Sequence, residues 1–189
     1  MGKKVISNML KNVVLLSAVS GAVMLAGCAS PATVKGMVSS QQPATPIKSK
    51  VLLKNISVDQ VAGGEATDPL WMSEVGAIAF KQALVESLQD SSLYNELAAS
   101  HYHLNANLVE LKKPLMGIDL TDTCKVHYQL IDTRTNKTVF DKIIVNQYTA
   151  EFSDALIEIK RQRLANEGVV RGNIHQLIEQ LYRLNIVVK

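Results

Sequence analysis

The chain has 189 residues, 20 Lys and Arg against 17 Asp and Glu, a formal charge of +3 and 47% hydrophobic residues, which fits one globular domain. Three of the bases, Lys3, Lys4 and Lys11, fall in residues 1–27, which hold no acid, so from Cys28 onward 17 bases face 17 acids. A neutral remainder lacks the clustered positive charge that binds phosphate backbones and has no acidic tail, which argues against a nucleic-acid partner.

The amino-terminal lysines precede an apolar run over residues 13–26. Its length suits the core of an export signal and is short for a bilayer span. The run ends Leu25-Ala26-Gly27-Cys28, with small residues where a signal peptidase cuts. This tetrapeptide resembles the lipobox of bacterial lipoproteins at all four positions. The resemblance implies diacylglycerol on the Cys28 sulfur, cleavage before Cys28 and acylation of the new amino group with a palmitate-type chain. The competing reading is an uncleaved signal anchor with a coincidental cysteine. Each buried CH₂ contributes roughly 0.8 kcal/mol, so one chain is a marginal anchor and two or three a stable one. Ala29, where inner-membrane retention usually has Asp, points by the same resemblance to the outer membrane, facing the periplasm. No later apolar stretch approaches twenty residues. The expected division is a signal peptide over 1–27, a lipidated cysteine and flexible tether over 28–49, and a single periplasmic α/β domain over 50–189. The tether reading rests on Ser, Pro, Ala and Gln without periodicity; the alternative is that Val34 to Val38 packs on the domain as an extended arm.

A short β-branched run over 51–58 predicts a first strand. Gly63 and Gly64 follow in a loop. Asp68-Pro69 reads as a helix start, with Ala77, Phe80, Leu84 and Leu88 as the buried stripe to about Asp90 and Ile78 and Val85 on its shoulder. Tyr102, Leu104, Ala106 and Leu108 alternate with polar residues as a half-buried strand. In the next strand Ile118, Leu120, Cys124, Val126, Tyr128 and Leu130 share one face, interrupted by Asp122, which predicts a bulge. A polar turn over 132–137 leads to a fourth strand over 138–149, with two competing apolar faces. A long helix from about Ser153 to Leu184 carries Leu156, Ile159, Val170, Ile174, Leu177, Leu181 and Leu184 on one stripe. Ile186-Val187-Val188 is either tail or a short extra strand. The order β-α-β-β-β-α predicts a two-layer α/β (α+β) fold, a mainly antiparallel sheet with two helices on one face.

The tethered VLLKNISV strand, the helix ending in Leu-Tyr, the strand YHLNANLVEL and the hairpin VHYQLIDTRTNKTVFDKI resemble small periplasmic lipoprotein domains. They are similar in order to the amino-terminal domain of the Tol translocation protein, to curli-secretion lipoproteins and to the lipoprotein activators of penicillin-binding proteins. In those families the hairpin turn commonly has Gly where this chain has Asn136, and Asn also tolerates a left-handed position. The resemblance covers roughly residues 50–150 and leaves the long final helix unexplained.

With Cys28 lipidated, Cys124 has no intramolecular partner and reads as a small buried hydrophobe; no His with Asn or Asp completes a nucleophile arrangement. His101, His103 and His127 are expected on one sheet face, where a bland solvated role outweighs a metal site. Gly63-Gly64-Glu65 lacks the Gly-Lys-Ser/Thr ending of a phosphate loop, and no Gly-x-Ser-x-Gly occurs. No cofactor is expected. The candidate partner contacts are Leu115 and Met116 at a hairpin tip and Arg163, Glu167 and Arg171, four apart on the last helix. Gly168 and Gly172, also four apart, permit either helix-on-sheet packing or self-association into a homo-oligomer. The function read from these features is a non-enzymatic, lipid-anchored accessory or assembly factor serving an envelope protein partner. The alternative is an auxiliary lipoprotein binding lipid or another apolar ligand between helices and sheet.

Overall fold

Strict alternation of burial along residues 102–108 and 120–132 makes a sheet with one face turned to a core. In the computed structural model, which describes residues 29–65, 73–114 and 116–186, four strands line up in the order β1-β2-β3-β4. They are β1 (Ile56–Gly63), β2 (Tyr102–Lys112), β3 (Leu120–Asp132) and β4 (Lys137–Ala150). The helices are α1 (Val34–Met37), α2 (Ala77–Asp90) and α3 (Glu158–Arg183). Strands β2, β3 and β4 form the expected antiparallel meander. β1 pairs with β2 in parallel, because α2 carries the chain back to the starting edge before β2 begins. The result is the two-layer α+β arrangement, with a mixed sheet and one short extra helix.

The core lies between the sheet and α2 and α3. Phe80, Ala83, Leu84 and Leu88 of α2 and Val169, Val170, Ile174, Leu177, Ile178 and Leu181 of α3 meet Leu104, Val126, Tyr128, Leu130 and Ile144 of the sheet. Burying each large aliphatic side chain contributes roughly 1.5–3 kcal/mol. Cys124 sits in this core as a free thiol. The turn from β3 to β4 places Asn136 at φ +52°, the left-handed position its side chain tolerates. Gly63 is required at φ +77°, since a Cβ there would collide with the Leu108 carbonyl on the neighbouring strand.

Several boundaries differ from expectation. Residues 50–52 form a 3₁₀ turn and β1 starts at Ile56. α2 begins after Gly76, because Ser73 and Glu74 are occupied by contacts with the amino-terminal segment; Asp68 and Pro69 lie outside the described residues. Ile78 points to solvent instead of the shoulder of the stripe. β3 begins at Leu120, so Ile118 lies in the preceding loop and is exposed. Leu156 likewise precedes α3 and is exposed. Asp122 makes no bulge: pairing with β4 is continuous from Leu120 to Cys124. The shift occurs instead at Leu130/Ile131, and β4 turns Phe140 and Ile144 inward while Ile143 and Val145 face solvent. Val187 and Val188 lie outside the described residues.

The largest difference concerns residues 29–49. Expected as a flexible tether, they run down the helical face from one end of the sheet to the other. Ala32 and Met37 are buried in the main core. α1 packs over both α2 and α3. Farther along, Ser39 N donates to Ser87 Oγ (2.9 Å), Ala44 N to Glu179 Oε1 (2.6 Å) and Lys48 N to the Tyr182 carbonyl (2.8 Å). The packed-arm alternative is the one realised, as a helical turn rather than an extended strand. The composition signalled a linker because its apolar contacts are few and widely spaced.

Candidate functional site

The direction of the strands gathers four segments at one end of the sheet: the chain from Ala29, residues 73–75, the β2–β3 connection and the β4–α3 connection. Ser30 accepts at its carbonyl from Ser73 Oγ (2.7 Å), and Ala32 N donates to the Glu74 carbonyl (3.0 Å). The Ser73 carbonyl in turn accepts from buried Asn166 Nδ2 of α3 (2.8 Å) and from Lys113 Nζ (3.4 Å). Lys113 also pairs with Glu74, both side chains largely buried. The chain is therefore fixed to the domain two residues after Cys28, which itself lies outside the described residues.

Three of the expected contact residues serve this attachment. Glu167 Oε1 accepts from Thr33 N and Oγ1 (2.8 and 2.9 Å). Thr33 Oγ1 also accepts from Gly36 N (3.1 Å), capping α1. Arg171 Nη1 donates to the Gly36 carbonyl (2.6 Å) and stacks 5.8 Å from the Tyr148 ring centroid. Arg163 Nε stands 3.7 Å from Glu167 Oε1. Glu167 thus breaks the apolar stripe to hold a segment of its own chain. Gly168 and Gly172 face the sheet: a Cβ on the first would enter the Tyr148 ring, and one on the second the Asn146 side chain. Their spacing is used for helix-on-sheet approach within the chain.

Beneath the attachment lies a buried polar row that the sequence signalled only through Asp122. Asp122 is fully buried among apolar neighbours of β3 and accepts from Gln162 Nε2 at both oxygens (3.1 and 2.9 Å). Burial pushes its carboxyl up to about 6, against the opposing pull of the Gln162 hydrogen bond and Lys113. The chain neighbour of Gln162, buried Arg161, ties two loops together: Nη1 donates to the Ala155 carbonyl (2.6 Å) and Nη2 to the Gly117 carbonyl (3.2 Å). Its guanidinium lies 5.3 Å from the Phe152 ring centroid, and Phe152 N donates to Asp119 Oδ1 (2.9 Å). Farther down α3, Asn173 accepts from Tyr128 Oη (2.9 Å) and donates to the Ile144 carbonyl (2.9 Å), which satisfies the buried phenol.

Large apolar side chains stand exposed at this end, among exposed Asp119, Glu151 and Asp154. Met116 is 83% exposed, Ile118 76% and Leu156 76%, with Phe152 and Ile157 about half exposed. Leu115 lies outside the described residues. A hollow of about 480 Å³ opens at the ends of β1 and β2, lined by Gly63, Glu65, Glu74, Leu108, Glu110 and Lys113 among others. It sits at the strand ends; the space between helices and sheet is filled by core side chains.

The remaining candidates are dispersed. His127 Nε2 lies 2.6 Å from Asp141 Oδ1, and His103 Nδ1 3.9 Å from Asp59. His103 pairs with Ile131, four residues along β3 from His127, which separates the two by roughly 13 Å. Among the described residues no group of His, Cys, Asp and Glu is arranged to hold a metal. Cys124 is buried, and desolvation pushes its thiol up to about 12 with a further push from Asp122. Among the described residues no helix is long and apolar enough to cross a membrane.

No family model and no curated protein matches the sequence. The fold is similar to solved structures of bacterial proteins. A Xanthomonas campestris protein of the DUF330 family superposes with a TM-score of 0.52 at 12% identity, covering 76% of this chain and 95% of that one. A lipoprotein candidate from Caulobacter crescentus gives 0.51 at 14% identity, covering 71% and 94%. A hypothetical protein of Chlamydia trachomatis gives 0.50 at 10% identity, covering 68% and 95%. At these identities the likeness is one of fold.

Proposed function

We propose that the protein is a non-enzymatic accessory factor of a cell-envelope complex, anchored by acyl chains on Cys28 and facing the periplasm from the outer membrane. The observation that carries the reading is Leu25-Ala26-Gly27-Cys28 at the end of an export-type apolar run, followed at once by chain built into the folded domain. The fold likeness to a lipoprotein candidate supports it. The buried polar groups of α3 support the non-enzymatic part. Arg161, Gln162, Glu167 and Asn173 are each spent on an intrachain partner, and the one described thiol is held protonated in the core. The resemblance to Tol, curli-secretion and penicillin-binding-protein-activator domains makes another envelope protein the natural partner.

Mass spectrometry of the mature amino terminus tests the anchor. A diacylglyceryl, N-acylated Cys28 is expected, and Cys28→Ser should leave the chain unprocessed and without acyl chains. An unmodified Cys28 in a mature or full-length chain overturns the reading. Density-gradient separation of the two membranes tests the outer-membrane placement that Ala29 favours. Capture of the lipidated protein from its own envelope tests the accessory role: a stoichiometric envelope complex is expected, and turnover of a substrate by the protein alone overturns it.

A further inference from the structure

We propose that the Met116–Ile118 loop and the Phe152–Ile157 loop form an apolar foot that inserts into the leaflet holding the Cys28 acyl chains, so that the domain lies on the bilayer in one fixed orientation. The proposal rests on lipid attachment at Cys28 and goes beyond it. An acyl anchor on a slack tether imposes no orientation, whereas this one has almost no slack. Ser30 is hydrogen-bonded to Ser73, and two residues of chain extend at most about 7 Å. The end of the domain that carries Ser30 is therefore held against the membrane. That same end carries Met116, Ile118, Phe152, Leu156 and Ile157, all exposed.

Exposed apolar residues scattered singly are ordinary, but a contiguous cluster marks a contact surface. Here the cluster is built rather than accidental. Arg161, itself buried, bonds the carbonyls of Ala155 and Gly117, one in each loop, and packs on the Phe152 ring. The Phe152 amide bonds Asp119 of the other loop. These ties satisfy the Ala155 and Gly117 carbonyls and the Phe152 amide internally while the apolar side chains stay exposed, an arrangement a lipid interface accepts. The bilayer is the occupant because the anchor holds Ser30, at this end of the domain, within about 7 Å of it. The two connections bear exposed Asp119, Glu151 and Asp154, and α3 opens with exposed Glu158 and Lys160, so insertion, not attraction to anionic headgroups, supplies the contact.

The test uses the lipidated protein reconstituted in vesicles of phosphatidylethanolamine and phosphatidylglycerol carrying brominated acyl chains. An environment-sensitive fluorophore is placed by Ile118→Cys, or by Leu97→Cys at the opposite end of the sheet. Acylation occupies Cys28 and burial shields Cys124. Lipid quenching at 118 should exceed that at 97 by about threefold or more, with iodide quenching reversed. Adding Leu156→Asp and Phe152→Asp to the 118 reporter should abolish the difference while the protein stays bound through its lipid. Equal iodide access at 118 and 97 in acylated, membrane-bound protein overturns the foot and leaves the anchor standing. An unacylated Cys28 overturns the anchor itself. Protection of 118 in native envelope but not in protein-free vesicles overturns the lipid occupant in favour of a protein.

Discussion

Glu167 Oε1 accepts both the amide and the hydroxyl of Thr33, 134 residues earlier in the chain, at 2.8 and 2.9 Å. This contact joins α3 to the segment that follows Cys28. Arg171 completes it from the next turn by bonding the Gly36 carbonyl, and Met37 plugs the core between α2 and α3. The segment that follows Cys28 is therefore part of the folded domain.

Glu167→Ala removes the acceptor of two donors and leaves Arg163 without its neighbouring carboxylate. Hydrogen bonds to a charged group contribute about 1.5–3 kcal/mol, so chemical denaturation should show a loss of about 2 kcal/mol. Trypsin should cut after Lys35 in the variant well before it does so in the wild type. A double-mutant cycle with Thr33→Val should show coupling between the two sites. Unchanged cleavage at Lys35 would mean that Met37 and the Arg171–Gly36 bond hold α1 without Glu167.

Period-two alternation made β2 and β3 legible from sequence, since both have one buried and one open face. α3 was legible through Val170, Ile174, Leu177 and Leu181. What stayed hidden depends on contacts between residues far apart in the chain. Nothing local marks Thr33 as a partner of Glu167, or Gln162 as the donor that lets Asp122 sit in an apolar row without a bulge. The parallel pairing of β1 follows from the crossover through α2, which the alternation in each strand does not encode. Met116 was legible as a misplaced apolar residue. Its association with Phe152, Leu156 and Ile157 required the two loops to be brought together by Arg161.

Asp122 gives a stability profile opposite to that of a salt-bridged carboxylate. Its folded-state pKa of about 6 stands above the ordinary 3.8, so between these values the folded chain holds a proton that the unfolded chain releases. Stability is then greatest below about pH 4 as far as this group is concerned, falls as pH rises toward 6, and is level above that. A shift of this size corresponds to on the order of 3 kcal/mol. Asp122→Asn keeps an acceptor for Gln162 and removes the charge. It should flatten the profile between pH 4 and 6 and raise the melting temperature at pH 7.5. An unchanged profile would show that Asp122 is not the group responsible.

Cys124 should be inert in the native state. Its thiol is buried and its pKa is raised to about 12, so thiolate is scarce at neutral pH. Reaction with a chromogenic disulfide should follow global unfolding, with no burst in native buffer and one thiol titrated in denaturant from lipidated protein. Rapid labelling of the folded protein would show that the strand opens locally and would reopen a chemical role for the thiol.

Gly168 distinguishes packing within the chain from association between chains. A Cβ at 168 would overlap the Tyr148 ring, and Tyr148 is held in turn under the Arg171 guanidinium. Overpacking of this kind typically costs about 1–3 kcal/mol. Gly168→Ala should therefore lower stability by about that amount without changing the sedimentation coefficient. Adding Tyr148→Leu vacates the space the ring occupies and should recover part of the loss, because the two changes act on one contact. If Gly168 instead served a second copy of the chain, Gly168→Ala would alter the sedimentation behaviour and Tyr148→Leu would not restore it, since the clash would lie across an interface that Tyr148 does not form.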